Sequence, residues 1–223
     1  MPAQIIHKIK GKKIILFGET HGTKEIPNLL SKFFEDISKS ESFNLCLEIP
    51  DEFQNQLDSY MKNGEDKELR SVSFFSKEYC TDGRNSLEYL NLINTIYKIN
   101  QTKKEKIELF FICPSLAENQ GEAEKLIAKN ILDRAKNRKT FAVLGNIHAS
   151  KKKINLFGKT IITAGFLINQ EIKEKMFSIL LKPESGKFFS NGLKEINYFE
   201  NDSFDKNFDH VRELEKVSPC SFL

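Results

Sequence analysis

Short runs of consecutive apolar residues constrain the fold of this chain more than any other feature of its sequence. The first run, 14–17, reads Ile-Ile-Leu-Phe and lies between a pair of lysines and Gly18. A short, uninterrupted apolar run with such boundaries is typical of a strand that is buried on both faces. The same pattern predicts further strands at 43–49, 106–113, 140–144, 159–167 and 176–182.

Helical periodicity fills the segments between these runs. Apolar residues at 26, 29, 30, 33, 34 and 37 form one stripe, and Pro27 suits a first helical turn. Further helices are expected at 87–97 and 123–135. Strands that alternate with helices predict an α/β fold with a mostly parallel central sheet and helices on both faces. We expect a single domain over 1–223, in which 51–101 is a helical insertion that caps one edge of the sheet.

The composition excludes several classes of protein. The chain has 223 residues and a net charge of only +3, whereas a dedicated nucleic-acid-binding protein carries a strong basic excess. Its four cysteines include no C-x-x-C pair, so neither a disulfide framework nor a zinc ribbon fits. The N-terminus has no continuous apolar h-region, and no apolar stretch could span a bilayer. We therefore expect a cytoplasmic protein that acts on a small molecule or a peptide.

A motif repeated at two strand ends carries the strongest functional signal. Four apolar residues followed by G-x-x-H occur twice, once ending in His21 and once in His148. Glycine lets the chain turn sharply out of a strand, and catalytic groups collect beyond the carboxyl ends of parallel strands. Glu19 lies within the first motif, and the strand at 43–49 brings Glu48 to the same edge. The sequence thus predicts one site formed by Glu19, His21, Glu48 and His148.

Two kinds of chemistry suit this set of residues. In the first, a histidine takes a proton from water while a carboxylate fixes its tautomer and stabilises the imidazolium. In the second, Glu19, His21, Glu48 and His148 bind a divalent metal ion that lowers the pKa of a bound water. The i, i+2 spacing of Glu19 and His21 is not the i, i+4 spacing of helical zinc motifs. The residues themselves leave both alternatives open.

The segment before the helix at 87–97 supplies secondary candidates. Arg84 lies in a turn-forming stretch, from which its side chain could hold a carboxylate or phosphate group of a substrate. A surface arginine at the start of a helix is the alternative interpretation. Tyr79 and Tyr89 are candidates for the wall of a pocket, although aromatic packing is the simpler explanation.

The first motif resembles the signature of a known family. Residues 17–25 read F-G-E-T-H-G-T-K-E and are similar to the G-E-x-x-H-G-T-x-E motif of erythromycin esterases, with one spacer residue fewer. The wider superfamily, which includes the haem-uptake ChaN proteins and the Tiki proteases, shares a strand-end Glu and a closing G-x-x-H. Glu48 and His148 match these two positions, and 208–211 resembles the closing strand of the superfamily.

This resemblance implies an α/β core whose active edge is lined by the four residues of the predicted site. In the esterase-like members the first histidine activates water, which implies that role for His21. In the Tiki-like members the His and Glu set holds a divalent metal ion, and the ChaN proteins bind haem. Haem is disfavoured as a cofactor here, because His7, His210 and the tyrosines are the few axial ligands outside the set.

Our leading hypothesis is a hydrolase that cleaves an ester, an amide or a similar bond. His21 is the expected general base, which Glu19 and Glu48 orient and stabilise. His148 is expected to polarise the substrate or to share a metal ion. The alternative hypothesis is a haem- or metal-binding protein without hydrolytic activity, and a third is an interaction module that keeps only the fold. The sequence specifies neither the substrate nor the oligomeric state.

Overall fold

A computed structural model describes residues 3–76, 82–156, 158–196 and 202–222 of the chain. The helices and strands follow one another as α1 (Ala3–Lys8), β1 (Ile14–Glu19), α2 (Glu25–Ser38), β2 (Asn44–Pro50), α3 (Gln54–Asn63), α4 (Lys67–Ser71), α5 (Leu87–Thr102), β3 (Glu108–Cys113), α6 (Gln120–Arg134), β4 (Thr140–Gly145), β5 (Ile154–Leu156), β6 (Lys159–Ile161), α7 (Ala164–Ile172), β7 (Met176–Pro183), β8 (Lys187–Phe189), β9 (Leu193–Glu195), α8 (Asp202–Asp205) and β10 (His210–Leu214). None of the helices in these described segments is long and apolar enough to cross a membrane.

Six strands form the central sheet, in the order β10-β7-β1-β4-β2-β3. Every neighbouring pair in this sheet is parallel. β1 occupies a central position, where Ile14 pairs with Thr140 on one side and with Met176 on the other. The α/β fold with a parallel central sheet that the sequence predicts is therefore confirmed. Of the residues 208–211 that resemble a closing strand, His210 and Val211 lie in β10.

Helices cover both faces of the sheet because successive side chains of each strand point to opposite faces. Ile15 and Phe17 of β1 pack on the face that α2 and α5 cover. Ile14 and Leu16 pack on the opposite face, which α6 and α7 cover. A strand buried on both faces needs apolar residues at every position, which is why the runs in the sequence are continuous rather than alternating.

The segment 51–101 carries α3, α4 and α5 and connects β2 to its parallel neighbour β3. The longest of these helices, α5, packs against α2 and buries Leu92, Ile93 and Ile96 in the core of the first face. Its N-cap is Ser86, whose side chain accepts a hydrogen bond from the backbone of Tyr89. This cap fixes where α5 begins, and Tyr89 in its first turn contacts Glu19 at the edge of the sheet that carries the predicted site.

The prediction of a strand at 159–167 is wrong. Only Lys159–Ile161 forms a strand, which pairs with β5 in an antiparallel hairpin outside the central sheet. Helix α7 follows from Ala164, and its N-cap Thr163 accepts a 3.0 Å hydrogen bond from the backbone of Phe166. A short apolar run is compatible with a packed helix as well as with a buried strand. Here the threonine cap stabilises the start of a helix.

Candidate active site

The carboxyl ends of β1, β4 and β2 meet at one edge of the sheet, because these strands are parallel neighbours. Glu19 ends β1 and is in register with Gly145, which ends β4. Glu48 lies where the pairing of β2 with β3 shifts register between Leu47 and Pro50, and such an irregularity re-aims side chains. The structure brings all four predicted residues of the site together at this edge.

His21 forms a hydrogen-bonded pair with Glu19. Its Nδ1 atom lies 2.7 Å from Oε1 of Glu19, and the hydroxyl of Tyr89 donates to the same oxygen. Glu19 is only 2% exposed, and its Oε2 atom has no hydrogen-bond partner among the described residues. Because an ionised carboxylate only accepts hydrogen bonds, the contact places a proton on Nδ1. The other ring nitrogen, Nε2, faces Oε2 of Glu48 at 3.8 Å.

His148 forms a second pair of the same kind, with Glu124 of α6. Its Nδ1 atom lies 2.7 Å from Oε1 of Glu124, and its Nε2 atom lies 3.6 Å from Oε1 of Glu48. The two imidazoles therefore have the same arrangement, in which Nδ1 is bound to a buried carboxylate and Nε2 is turned towards Glu48. Their side chains are 18% (His21) and 21% (His148) exposed, so both remain accessible from solution.

Glu124 is the functional residue that the sequence analysis missed. It is completely buried, although glutamate is among the residues that are almost never buried unless they are paired. A signal was present, because Glu124 falls at helical spacing on the buried stripe of Ile127, Ala128 and Ile131 in α6. A carboxylate inside an apolar stripe requires hydrogen-bond partners, and this requirement points to a polar neighbour such as His148.

Glu48 occupies the centre of the site. Its Oε2 atom accepts a 2.7 Å hydrogen bond from the backbone of Gly145, and its Oε1 atom accepts a 2.9 Å hydrogen bond from Nη1 of Arg84. The side chain is 6% exposed and lies between the Nε2 atoms of the two histidines. One carboxylate is thus held in place by a neighbouring strand and by a cation, and it faces both imidazoles.

Arg84 lines the cavity, and its guanidinium is paired with carboxylates of the protein itself. Besides Oε1 of Glu48, Nη1 donates to the backbone oxygen of Glu48 at 2.8 Å. Nε donates to Asp82 at 2.9 Å, and Nη2 lies 2.8 Å from the same carboxylate. In this structure the arginine therefore positions Glu48. Tyr79 lies outside the described residues, and Tyr89 contacts Glu19 rather than the cavity.

The carboxylates raise the pKa values of both histidines. Burial lowers the pKa of His21, but its hydrogen bond to Glu19 and the charges of Glu19 and Glu48 outweigh burial, so this pKa is raised above 6.5. Burial also lowers the pKa of His148, and the charges of Glu48 and Glu124 again outweigh it and raise the pKa to about 9. His148 is therefore an imidazolium at neutral pH.

Glu48 and Tyr89 keep fixed protonation states near neutral pH. Burial raises the pKa of Glu48, but the charges of His148, Arg84 and His21 outweigh it, so this pKa lies below 4.5 and the carboxyl is ionised. Burial and the charge of Glu19 raise the pKa of Tyr89 well above 10. The phenol therefore stays protonated and serves as a donor to Glu19.

Glycine at 145 is needed because the site is closely packed. A Cβ atom at this position would lie 2.9 Å from Nε2 of His21 and 3.4 Å from Cδ2 of His148. Gly22, which follows His21, has a φ of +79°, and a Cβ there would lie 2.0 Å from the backbone oxygen of Phe189. The first glycine makes room for the imidazoles, and the second lets the loop after β1 turn beneath the β8–β9 hairpin.

A cavity of about 600 Å³ lies over these groups, a size typical of sites for small organic ligands. Its polar wall contains the two histidines, Glu48, Arg84 and Asn146. Its apolar wall is formed by Ile147, Phe188 and Ile196. The cavity thus joins an acid–base cluster to a small apolar surface.

The donor set does not fit a metal ion in this arrangement. Both carboxylate oxygens of Glu48 already accept hydrogen bonds, one of them from the guanidinium of Arg84, and a cation beside that oxygen opposes a second one. Within the described parts of the chain, no group of three or more His, Cys, Asp or Glu side chains is placed to hold a metal ion. Among the described residues that line the cavity, neither His7 nor His210 is present as a further axial ligand for haem.

Comparisons with solved structures place this architecture among known proteins. A succinoglycan biosynthesis protein aligns with a TM-score of 0.77 and 12% identity, covering 98% of this chain and 91% of that chain. A protein from Bacillus cereus aligns with a TM-score of 0.74 and 12% identity over 99% of this chain and 92% of that chain. A mutant of the erythromycin esterase EreC in its open conformation aligns with a TM-score of 0.63 and 10% identity over 86% of this chain and 78% of that chain.

The chain has the fold of the erythromycin esterases. This finding confirms the fold that the F-G-E-T-H-G-T-K-E resemblance implied. No protein-family model matches the sequence, and no curated protein sequence matches it. At identities of 10–12%, the erythromycin esterase fold is what the alignments establish.

Proposed function

We propose that this chain is a hydrolase that cleaves an ester- or amide-type bond with water activated by His21. The observation that carries the proposal is the orientation of the two histidines. Each binds a buried carboxylate through Nδ1 and presents Nε2 to the same cavity, at 3.8 Å and 3.6 Å from Glu48. An imidazole oriented in this way by a carboxylate is the arrangement by which histidine exchanges protons with a substrate.

His21 acts as the base in this proposal. With Nδ1–H donated to Glu19, the neutral imidazole has its lone pair on Nε2, on the side of the cavity. A water molecule between Nε2 and a substrate carbonyl would lose its proton to Nε2 as its oxygen attacks the carbon. Glu19 then stabilises the imidazolium that forms, as the carboxylate does in other carboxylate–histidine pairs.

Glu48 and its partners supply the electrostatic part of the mechanism. Arg84 and the Gly145 amide fix the Glu48 carboxylate, which stabilises positive charge on either imidazole. His148, which is protonated at neutral pH, polarises the carbonyl or stabilises the charge that develops on the leaving group. Because these groups are ordered before a substrate binds, they need little reorganisation during the reaction.

The comparisons add support from the fold. The erythromycin esterase EreC has the same fold. The cavity of about 600 Å³ is large enough for a small-molecule ester or for the end of a peptide. Ile147, Phe188 and Ile196 would contact an apolar part of such a substrate.

The test is a substrate screen with the wild-type protein and a His21→Gln variant side by side. Generic esters, peptides and phosphoesters are incubated with each protein, both with and without a chelator. We expect an activity in the ester or amide class that survives the chelator and that falls by about 10² to 10⁴ in His21→Gln.

The matched control is His7→Gln, a change at an exposed position of α1 that does not line the cavity. This variant should keep the wild-type activity. Turnover that is the same in His21→Gln and in the wild type would overturn the proposed base, and turnover abolished by the chelator would overturn the mechanism without a metal ion.

A further inference from the structure

The carboxylate of Glu124 accepts hydrogen bonds from three donors. Oε1 accepts from Nδ1 of His148 at 2.7 Å and from Nε2 of Gln120 at 2.8 Å. Oε2 accepts from the backbone N–H of Ala164 at 2.7 Å. The residue is completely buried, so both of its oxygens are satisfied by the protein. Hydrogen bonds to a buried ionised carboxylate are among the strong ones in proteins, and they hold it in one position.

The donor at Ala164 is the first residue of α7, so Glu124 lies at the N-terminus of a helix. Aligned peptide dipoles make this end of a helix favourable for a negative charge. The helix also contacts the segment that carries His148, because the backbone N–H of Gly165 donates to the backbone oxygen of His148 at 2.8 Å. A Cβ at Gly165 would lie 2.5 Å from the backbone oxygen of Ser150, which shows how closely the two segments pack.

This arrangement gives the two histidine pairs different surroundings. Glu124 has a donor on each oxygen and a helix N-terminus beside it. In the pair with His21, both donors reach a single oxygen of Glu19, and the other oxygen has no partner among the described residues. The carboxylate next to His148 is thus held through both of its oxygens, whereas the carboxylate next to His21 is held through one. The pKa of His148, raised to about 9, favours the cationic form of its imidazole.

We propose that Glu124 is a positioning residue which, together with the N-terminus of α7, fixes His148 as the proton donor of the site. This role rests on the proposed hydrolase function and assigns a different proton transfer to each of the two histidines. His21 removes a proton, and His148 supplies one. Glu124 does not touch the substrate and acts only through His148.

The protons balance over one cycle of hydrolysis. Water gives a proton to Nε2 of His21, and its oxygen forms the new bond to the carbonyl carbon. The bond to the leaving group breaks as Nε2–H of His148 gives its proton to the leaving oxygen or nitrogen. The products are an acid and an alcohol or amine, and the proton on His21 then returns to His148 through solvent.

The charged groups that face His148 come from three further segments. Glu124 lies on α6, Glu48 lies on β2, and Arg84 lies in the turn before α5. The first two favour the imidazolium, whereas Arg84 opposes it. Removing the charge of Glu124 removes one of the two favourable partners and leaves Glu48 and Arg84 in place, so the effect on His148 can be measured separately.

The experiment is a proton NMR titration of the histidine ring signals, which needs no substrate. The chain has four histidines, and a His148→Gln variant identifies the signal of His148 by its absence. We expect this signal to titrate near pH 9 in the wild-type protein. In Glu124→Gln we expect the midpoint to fall by about one pH unit or more, a tenfold change in the protonation equilibrium.

The matched control is Glu122→Gln, which removes a charge from the same helix two residues away without a contact to His148. It should move the midpoint of His148 by far less than Glu124→Gln does. A midpoint that is the same in Glu124→Gln and in the wild type would overturn the role of Glu124. The proposed hydrolase function would survive that result, because it depends on turnover by His21.

The wild-type protein alone gives a second test, in case Glu124→Gln does not fold. Nitrogen-15 shifts of the His148 ring at neutral pH should report a proton on both nitrogens, with the Nδ1 proton protected from exchange by Glu124. A ring that is protonated only on Nε2 would contradict the contact with Glu124. A neutral ring would contradict the assignment of His148 as the proton donor.

Discussion

The backbone amide of Gly145 donates a 2.7 Å hydrogen bond to Oε2 of Glu48. The last residue of β4 therefore fixes a carboxylate carried by β2, its neighbour in the sheet. The same glycine leaves room for His21, because a Cβ would lie 2.9 Å from Nε2 of that imidazole. One backbone position thus joins the carboxylate at the centre of the site to the proposed base.

Replacing Gly145 with alanine should displace the base while the fold is kept. Gly145 does not have a positive φ, so alanine can adopt its backbone conformation, and the methyl group must instead push His21 away from its position. A displacement of about 1 Å in a catalytic group can cost about 10² in rate, and we expect a loss of kcat/KM of that order. Circular dichroism and kcat/KM on the best substrate check the two parts of this prediction.

Gly121→Ala is the control for this change. Gly121 lies in the first turn of α6, where an added Cβ would meet only Oδ1 of Asn119 at 3.4 Å. Alanine favours a helix, so this variant should keep its activity and gain slightly in stability. If Gly145→Ala were as active as Gly121→Ala, the close packing around His21 would have no functional importance.

The rate of hydrolysis should depend on pH with a bell shape. His21 must lose its proton to act as a base, and its raised pKa places the acid limb above pH 6.5. His148 must keep its proton, and its pKa of about 9 places the alkaline limb near that pH. Glu48 remains ionised throughout, because its pKa lies below 4.5. A profile of kcat/KM from pH 5 to pH 10 tests this, and a rate that keeps rising beyond the alkaline limb would contradict the acid role of His148.

The stability of the fold should fall as the solution becomes alkaline. The pKa of His148 is raised from 6.5 to about 9, so the folded state binds its proton more tightly than the unfolded state does. This contribution is fully present below pH 6.5 and is lost as the pH rises through about 9. A shift of this size corresponds to at most about 3 kcal/mol in the free energy of unfolding.

Urea unfolding at pH 6.5, 8 and 9.5 measures this dependence. The wild-type protein should lose more stability over the range than a His148→Gln variant, in which the titrating group is absent. Equal slopes for the two proteins would show that His148 does not bind its proton more tightly in the folded state.

The segment 217–222 joins several parts of the site. The backbone oxygen of Ser218 accepts a 3.0 Å hydrogen bond from the backbone N–H of Lys24. The backbone oxygen of Ser221 accepts a 2.8 Å hydrogen bond from the backbone N–H of Leu87. The backbone N–H of Cys220 donates to the oxygen of Gly22 at 2.9 Å. The loop that carries His21 and the start of α5 are therefore held together by one short piece of chain.

A chain that ends at Val217 should consequently lose activity out of proportion to its loss of stability. We expect Tm to fall by a few degrees, because the central sheet and both apolar cores are retained, and kcat/KM to fall by about tenfold or more because Gly22 and α5 lose this link. Differential scanning calorimetry and kinetics well below Tm separate the two effects. Unchanged kcat/KM in the truncated, folded protein would show that the segment does not organise the site.

The strands that carry the site can be predicted because each is a continuous apolar run that is visible within a few consecutive residues. β1, β2 and β4 are continuous apolar runs, and each delivers Glu19, Glu48 or Gly145 at its carboxyl end, where parallel neighbours must converge. The paired G-x-x-H motifs then locate both histidines.

The parts that the sequence did not predict depend on contacts across the fold. The run at 159–167 fits a strand by composition, but the Thr163 cap starts a helix, and Ala164 of that helix binds Glu124. The contact of Arg84 with Glu48 is equally non-local, because Glu48 lies 36 positions earlier in the chain. A buried glutamate can be recognised in a helical stripe, but the histidine that binds it can be identified only once the helices are packed.

The central claim is that His21 removes a proton from water, and chemical rescue tests it most directly. The measurement is kcat/KM of a His21→Ala variant on the best substrate, with increasing concentrations of added imidazole. The account predicts a rate at least about 10² below the wild type, which imidazole partly restores while it leaves the wild-type rate unchanged. A His21→Ala protein that keeps the wild-type kcat/KM without imidazole would contradict the claim.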